Sequence, residues 1–294
     1  MRLASNRNPL PAYLALMRLD RPVGSLLLLW PTLAALWIAA EGLPAWHLLV
    51  IFTLGTFLMR SAGCVINDYA DRNMDGAVAR TRNRPLVSGE VSTTAALVLF
   101  AVLVSAAGVL VLFLNRSTQV LALAGLAVAI LYPFMKRWTH FPQAFLGMAF
   151  SWGILMAWPA TGNTLAPAAG LLFIGSVMWI IAYDTMYAMV DRDDDLKVGI
   201  KSTAILFGSA DRLMIGLLQL IALGIWLMLG RGLDMSVPFY IGLAVCAGLF
   251  LYQQRLISKR KRDDCFRAFT NNIWVGFALF VGTLTHYSLG HLLP

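Results

Sequence analysis

The chain has 294 residues, of which 59% are hydrophobic and only 13% charged, with a formal net charge of +8. Soluble globular chains carry about a quarter charged residues, so the composition excludes a soluble globular protein and leaves a polytopic membrane protein without a separate soluble domain. The positive excess fits the cytoplasmic face of a membrane and its anionic lipid, and no nucleic-acid partner is expected.

Residues 1–19 carry basic side chains but no apolar core followed by a small-residue cleavage site, so no cleaved signal is expected. Apolar runs then predict nine spans, at about 23–40, 45–66, 94–114, 118–134, 142–160, 165–189, 211–229, 236–255 and 268–289. Short connections carry turn residues, such as Glu41-Gly42-Leu43-Pro44 and Ala160-Thr161-Gly162-Asn163. With the N-terminus in the cytoplasm, only Arg116 and Arg231 of the 23 Lys and Arg fall on the opposite side, while Arg60 lies within the second span. That asymmetry fixes the orientation. It places the connections 67–93, 135–141, 190–210 and 256–267 in the cytoplasm. The whole of 1–294 is expected to form one membrane-embedded domain. Cys64, Cys246 and Cys265 are scattered and suggest no disulfide framework or C-x-x-C metal site.

Two acidic clusters interrupt this apolar chain. Asn67-Asp68-Tyr69-Ala70-Asp71-Arg72-Asn73-Met74-Asp75 follows the second span, and the 184–195 stretch, from Asp184 to Asp191-Arg192-Asp193-Asp194-Asp195, follows the sixth. At helical spacing Asp68, Asp71 and Asp75 share one face, and so do Asp184, Asp191 and Asp195. Both clusters lie on the cytoplasmic side. His47, His140, His286 and His291 are isolated, so no transition-metal centre is indicated. Carboxylates beside an Asn are hard oxygen ligands suited to Mg²⁺, which takes few carboxylates, keeps waters and shares phosphate oxygens. Two such sets can hold Mg²⁺ against a diphosphate and offset charge on the departing group.

The same connections offer cations for that anion: Arg72, Arg80, Arg82, Arg84, Lys136, Arg137, Lys197 and Lys201. A lipid-like tail fits among the spans, with Phe57, Phe150, Trp152, Met156, Phe173 and Trp179 among its candidate walls. The basic run at 255–262 reads as an inside-facing loop near anionic headgroups. Asp263 and Asp264 lack face-matched partners and are left out of the metal site. A cation-coupled transporter is the alternative class, disfavoured because the acidic residues gather at one membrane face rather than at mid-span.

The motifs resemble those of the UbiA superfamily of intramembrane prenyltransferases. The first cluster matches its Asn-Asp-x-x-Asp-x-x-x-Asp signature at Asn67, Asp68, Asp71 and Asp75. The second matches its Asp-x-x-x-Asp core at Asp191 and Asp195, preceded by Asp184-Thr185-x-Tyr187-Ala188. Arg18-Leu19-Asp20-Arg21-Pro22-x-Gly24, Asn83-Arg84-Pro85-Leu86 and Tyr132-Pro133-x-x-Lys136-Arg137 extend the similarity through most of the chain. The long second motif, with Lys197, Gly199, Lys201, Ser202 and Thr203, is similar to the bacterial branch that prenylates 4-hydroxybenzoate.

The resemblance implies an all-α fold of nine transmembrane helices around a central cavity, capped by cytoplasmic loops, in a bacterial inner membrane. It implies Mg²⁺-dependent transfer of a polyprenyl group from polyprenyl diphosphate to the 3-position of 4-hydroxybenzoate, a step toward ubiquinone. Asn67, Asp68, Asp71, Asp75, Asp184, Asp191 and Asp195 are then the metal-site residues. Arg72, Lys136, Arg137 and Lys197 are expected on the diphosphate. Arg137, or secondly Arg18, is expected on the acceptor carboxylate, and Asp71, Asp191 and Arg137 carry the catalytic assignment. The connections 67–93 and 190–210 are the expected lids, with turns at Gly76, Gly89 and Gly199.

Overall fold

The computed structural model describes residues 10–78 and 80–289, and these form helices and turns without a strand. The reading of residues 1–19 falls partly outside them, as does His291. After a short helix, Leu10–Leu16, come nine long ones. They are α1 (Val23–Ala40), α2 (Trp46–Asp71), α3 (Thr93–Leu112), α4 (Arg116–Leu131), α5 (Pro142–Ala160), α6 (Pro167–Val198), α7 (Asp211–Gly232), α8 (Val237–Leu256) and α9 (Arg262–Leu289).

Helix ends follow local chemistry. The Ser92 hydroxyl accepts the Ala95 N–H at 3.1 Å and Asn115 Oδ1 accepts the Thr118 N–H at 3.0 Å, capping α3 and α4. Pro142 and Pro167 open α5 and α6, where a missing N–H costs nothing. Gly199 ends α6 in the left-handed region at φ 72°, returning its N–H to the Asp195 carbonyl.

Among the described residues, eight helices are long and apolar enough to cross a membrane. The remaining predicted span, 142–160, is α5, a continuous 19-residue helix. Gln143, two prolines and two tryptophans lower its mean hydropathy. Three predicted ends move by five residues or more, one of them the start of α9, at Arg262 rather than 268. Helix α2 runs past 66 through Asp71, and α6 runs past 189 to Val198, so the acidic residues ride on the helices themselves. The expectation that Asp75 shares the helix face of Asp68 and Asp71 is corrected. The polar run Arg72–Met74 turns instead, with the Met74 N–H on the Asp71 carbonyl at 2.7 Å, and Asp75 opens a 3₁₀ turn, Asp75–Ala77. The Thr81 hydroxyl donates to the Asp75 carbonyl at 2.8 Å and holds that turn.

Packing runs around the bundle, α2 on α3, α4 on α5, α5 on α6, α6 on α7 and α8 on α9, while α1 closes it against α2, α5 and α9. Helix α6 is the axis. Its Trp179 is fully buried, lies edge-on to Trp226 at 5.9 Å, and donates its indole N–H to Asn272 Oδ1 at 2.8 Å. Without water to drive association, membrane helices rely on close packing and small residues. At Gly242 an added Cβ would stand 2.7 Å from the Ala278 carbonyl oxygen, so glycine lets α8 lie directly on α9. Leu123, Leu220 and Leu251 point outward, as lipid-facing side chains do.

Candidate active site

The end of α2 delivers Asp68 and Asp71, both nearly fully buried, into a polar cleft of about 1210 Å³. The turn after it adds Asp75, and one face of α6 adds Asp184, Asp191 and Asp195. Asn67 joins them and donates its amide to Asp71 Oδ2 at 3.2 Å. Both acidic clusters thus line one cleft, at one end of the bundle.

Buried carboxylates near lipid are costly unless paired, and each cluster is largely neutralised by cations from elsewhere in the chain. Arg18 forks onto both oxygens of Asp68 at 2.9 and 3.1 Å. Arg84 bridges Asp68 at 2.9 Å and Asp75 at 2.7 Å. Burial opposes the Arg84 charge, but Asp68 and Asp75 outweigh it and raise its pKa above the ordinary value. Lys136, just past α4, pairs with Asp71. Arg80 crosses from the first cluster's loop to grip Asp191 of the second, its Nε within 2.9 and 3.0 Å of the two oxygens. The same guanidinium lies 4.5 Å from the centre of the Tyr187 ring. The Lys201 N–H donates to the Lys136 carbonyl at 3.2 Å, which ties the loop after α6 to the loop after α4.

The predicted cations divide. Arg18, Lys136, Arg80, Arg84 and Lys201 line the cleft. Arg72 folds back, donating to the Tyr69 carbonyl at 2.6 Å and lying 4.2 Å over the Tyr69 ring. Arg137 is exposed, donates to the Ala70 carbonyl and lies over Phe134. Lys197 is 76% exposed and approaches only Asp194, at 3.8 Å. These three flank the cleft rather than line it. Arg18, expected on the acceptor, holds Asp68 and does so from the left-handed region at φ 56°.

Arg60, which the sequence places within the second span without a role, belongs to this site. It sits on α2 within the membrane span, lines the deep part of the cleft and makes no ion pair among the described residues. Its Nε is buried with no hydrogen-bond partner. Its guanidinium faces the Phe150 ring at 5.0 Å. Gly24 of α1 makes room for it, since a Cβ there would meet Nε at 2.5 Å. The signal was present in the sequence, because a lone ionisable residue inside a span marks function by default. Asp184 lies in the same region, hydrogen-bonded by Gln143. Gln143 Oε1 in turn accepts the Thr203 N–H at 3.0 Å.

The donor set suits a hard divalent cation. Asp71 keeps one buried oxygen, Oδ1, without any partner, and Asp195 makes no ion pair among the described residues. No group of three acidic, His or Cys side chains among the described residues forms a ready-made ion cage. Mg²⁺ needs only one or two protein carboxylates and completes its shell with water and substrate phosphate, a demand that Asp71 Oδ1 and Asp195 can meet.

An all-helical membrane bundle with paired acidic motifs at one end of its cleft defines an intramembrane transferase fold, and the comparisons agree. Residues 28–280 match the model of the UbiA prenyltransferase family, and the chain belongs to that family. It is 59% identical over 273 residues to a 4-hydroxybenzoate octaprenyltransferase of Vibrio cholerae, covering 93% of this chain and 96% of that one. It is 57% identical over 281 residues to a protein of the same name from Coxiella burnetii, covering 96% and 98%. Its fold is similar to that of a UbiA homolog from Aeropyrum pernix, with a TM-score of 0.78 at 21% identity over 87% of this chain and 96% of that one. A UbiA homolog from Archaeoglobus fulgidus bound to GPP and Mg²⁺ gives a TM-score of 0.68 at 18% identity over 92% and 99%.

Proposed function

We propose that this protein transfers a polyprenyl group from polyprenyl diphosphate to the 3-position of 4-hydroxybenzoate, with Mg²⁺, and releases diphosphate. The observation that carries the reading is the single cleft shared by both acidic clusters and ringed by Lys and Arg. The names of the relatives support the acceptor. The product, 3-polyprenyl-4-hydroxybenzoate, serves ubiquinone synthesis. In this reading residues 1–294 act as one unit in a bacterial inner membrane, with α5 as the ninth span. The cleft is the central cavity, and the connections 67–93 and 190–210 cap it from the cytoplasm.

Asn67, Asp68, Asp71 and Asp75 on one side, and Asp191 and Asp195 with Asp184 on the other, are the residues to hold the metal. Bound there, Mg²⁺ supplies Lewis-acid stabilisation of charge on the leaving diphosphate. Lys136, Arg80 and Arg84 line the cleft and bind diphosphate oxygens, the two arginines with planar forks suited to phosphate. Arg72, Arg137 and Lys197 stand at the rim and add positive potential there. The C–O bond between the prenyl C1 and diphosphate breaks, and the ring carbon next to the acceptor hydroxyl bonds to C1. Loss of that carbon's proton restores the aromatic ring. Tyr187, packed on Phe269 at 4.7 Å between centroids, presents an aromatic wall to the developing allylic cation. Asp191 stands at the acceptor hydroxyl and increases its electron donation to the ring. Arg60, deep and unpartnered, takes the acceptor carboxylate, a role given to Arg137 or Arg18 on sequence alone. Closure of the two loops excludes water from the cation.

The test is purified protein given one polyprenyl diphosphate and a panel of aromatic acceptors, with and without Mg²⁺. The expected result is Mg²⁺-dependent formation of 3-polyprenyl-4-hydroxybenzoate, identified by mass and ring substitution. Preference for another acceptor, or transfer that survives complete chelation, overturns the reading.

A further inference from the structure

Asp68, Asp71, Asp75 and Asp191 are each directed by a cation of the chain. Asp184 is held differently. It forms no ion pair among the described residues, and its carboxylate accepts a hydrogen bond from Gln143. Gln143 is the second residue of α5, is buried, and lines the cleft.

The loop after α6 fixes which way this amide faces. The short helix Thr203–Phe207 begins with backbone N–H groups that have no partner inside it. The Ser202 hydroxyl accepts the Ile205 N–H at 3.4 Å, and Gln143 Oε1 accepts the Thr203 N–H at 3.0 Å. A glutamine amide has one accepting end and one donating end. With Oε1 committed to Thr203, Nε2 is the end that faces Asp184. A second bond secures Thr203. The Thr185 hydroxyl gives its one proton to the Ile181 carbonyl at 2.6 Å, so the Thr203 hydroxyl is the donor in the 2.7 Å contact between the two threonines. Gln143, Thr185, Ser202 and Thr203 are all buried, and a buried polar network that is only partly satisfied is costly. Thr185 and Thr203, both from the second motif, are thereby tied to the cleft through Gln143.

We propose that Gln143 is a positioning residue that aims the Asp184 carboxylate at the metal, with the loop after α6 holding the amide in the orientation this needs. The inference rests on the metal role given to Asp184 above. A cation paired with a carboxylate competes with the metal for its charge. An amide supplies direction without net charge, so Asp184 keeps its full charge for Mg²⁺ while its orientation is held. Groups behind a metal ligand set its orientation, and removing one costs about 10–100-fold in metal affinity.

The experiment measures binding of a non-reacting geranyl thiolodiphosphate to the purified protein across a Mg²⁺ titration, so that no turnover is needed. Gln143→Met keeps the reach of the side chain and removes both ends of the amide. Gln143→Asn, too short to serve both partners, is the second variant should methionine impair folding. The Mg²⁺ concentration for half-maximal binding should rise at least about ten-fold per folded molecule. Thr203→Val removes the hydroxyl but leaves the N–H on Gln143, so it should speed amide exchange in the loop and leave the Mg²⁺ requirement unmoved. In an Asp184→Ala background Gln143→Met should no longer move the requirement, because the residue it acts through is gone. An unchanged Mg²⁺ requirement in Gln143→Met, an equal rise in Thr203→Val, or a rise that persists without Asp184 would overturn the proposal. Wild-type binding that needs no Mg²⁺ would instead refute the metal assignment on which it rests.

Discussion

Replacing Arg60 by Met is the sharpest test of the acceptor site. The change removes the guanidinium and keeps an unbranched apolar stem of similar reach. Arg60 lines the cleft, its Nε has no protein partner, and it makes no ion pair among the described residues. A structural arginine would lose stability on replacement. Here the folded protein holds a cation at membrane depth whose charge Asp184 feels without forming an ion pair, and such a charge is a burden of about 3 kcal/mol on insertion scales. The variant should melt in detergent near the wild-type temperature, because the relief of a buried cation is offset by the loss of its attraction to Asp184. A hydrogen bond to a charged group contributes about 1.5–3 kcal/mol, so losing a two-point grip on the acceptor carboxylate costs about 3 kcal/mol at the low end. At 1.4 kcal/mol per decade, KM for 4-hydroxybenzoate should rise about 150-fold, with the donor KM nearly unmoved. Arg60→Lys keeps the charge but not the planar fork and should fall between. Initial rates across both substrate concentrations, with thermal melting of the same preparations, decide the matter. An acceptor KM within three-fold of wild type, or a melting loss that accounts for the lost activity, refutes the reasoning.

Gly24→Ala should act through Arg60, because the new methyl meets the flexible guanidinium and not the backbone; acceptor KM should rise about ten-fold, a displacement of about 1.4 kcal/mol, while melting stays near wild type. Asp71→Asn and Asp191→Asn should each lower kcat/KM at least 100-fold, on the order of 3 kcal/mol of transition-state stabilisation, and should raise the Mg²⁺ concentration needed for half-maximal rate. Chelation followed by graded Mg²⁺ addition measures that shift, and near-normal turnover of both variants at limiting Mg²⁺ contradicts the ligand assignment. Arg80→Ala breaks the crossing from the first loop to Asp191, and should raise the donor KM and speed amide exchange across 72–90. Asp211 is fully buried and held by Arg260, with Arg192 at 3.4 Å. Asp211→Ala should therefore cost about 2 kcal/mol of stability, moderated because both cations reach solvent, and leave kcat/KM per folded molecule unchanged.

The fold and most of the acidic set were legible because lipid leaves few alternatives. Apolar runs and short turn-rich connections locate helices well. Helical spacing placed the three α6 carboxylates on one face, where α6 carries them. It failed at Asp75, since the Arg72–Met74 run breaks the helix one turn early. The cations were harder. Arg72, Arg137 and Lys197 lie as near the acidic motifs in sequence as Arg80, Arg84 and Lys136 do. Which ones point inward depends on loop geometry, such as the crossing of Arg80 to α6, and spacing does not encode that. Arg60 is a different case. It lies in an apolar span about two helical turns before Asn67, and the packing of Gly24 and Phe150 around it shows how the structure keeps it without a direct ion pair.

The pairing around the cleft bears on how the site accepts its ligands. Asp68, Asp71, Asp75 and Asp191 are each matched to a cation of the chain. The residues suited to bind metal and those suited to bind diphosphate thus neutralise one another before either ligand arrives. A free carboxylate cluster at this depth would be expensive, and so would a free cluster of arginines. A magnesium diphosphate brings both signs at once. With both bound, the carboxylates would hold the metal and the Arg and Lys side chains would hold the diphosphate, so neither set would be left without a partner. Metal alone or diphosphate alone would strand half of the partners. The two ligands should therefore bind with positive coupling, each tightening the other by the same factor. Arg60 is outside this pairing. Asp184 feels its charge but forms no ion pair with it among the described residues, so in the proposed function an acceptor carboxylate would pair with Arg60 without breaking a salt bridge.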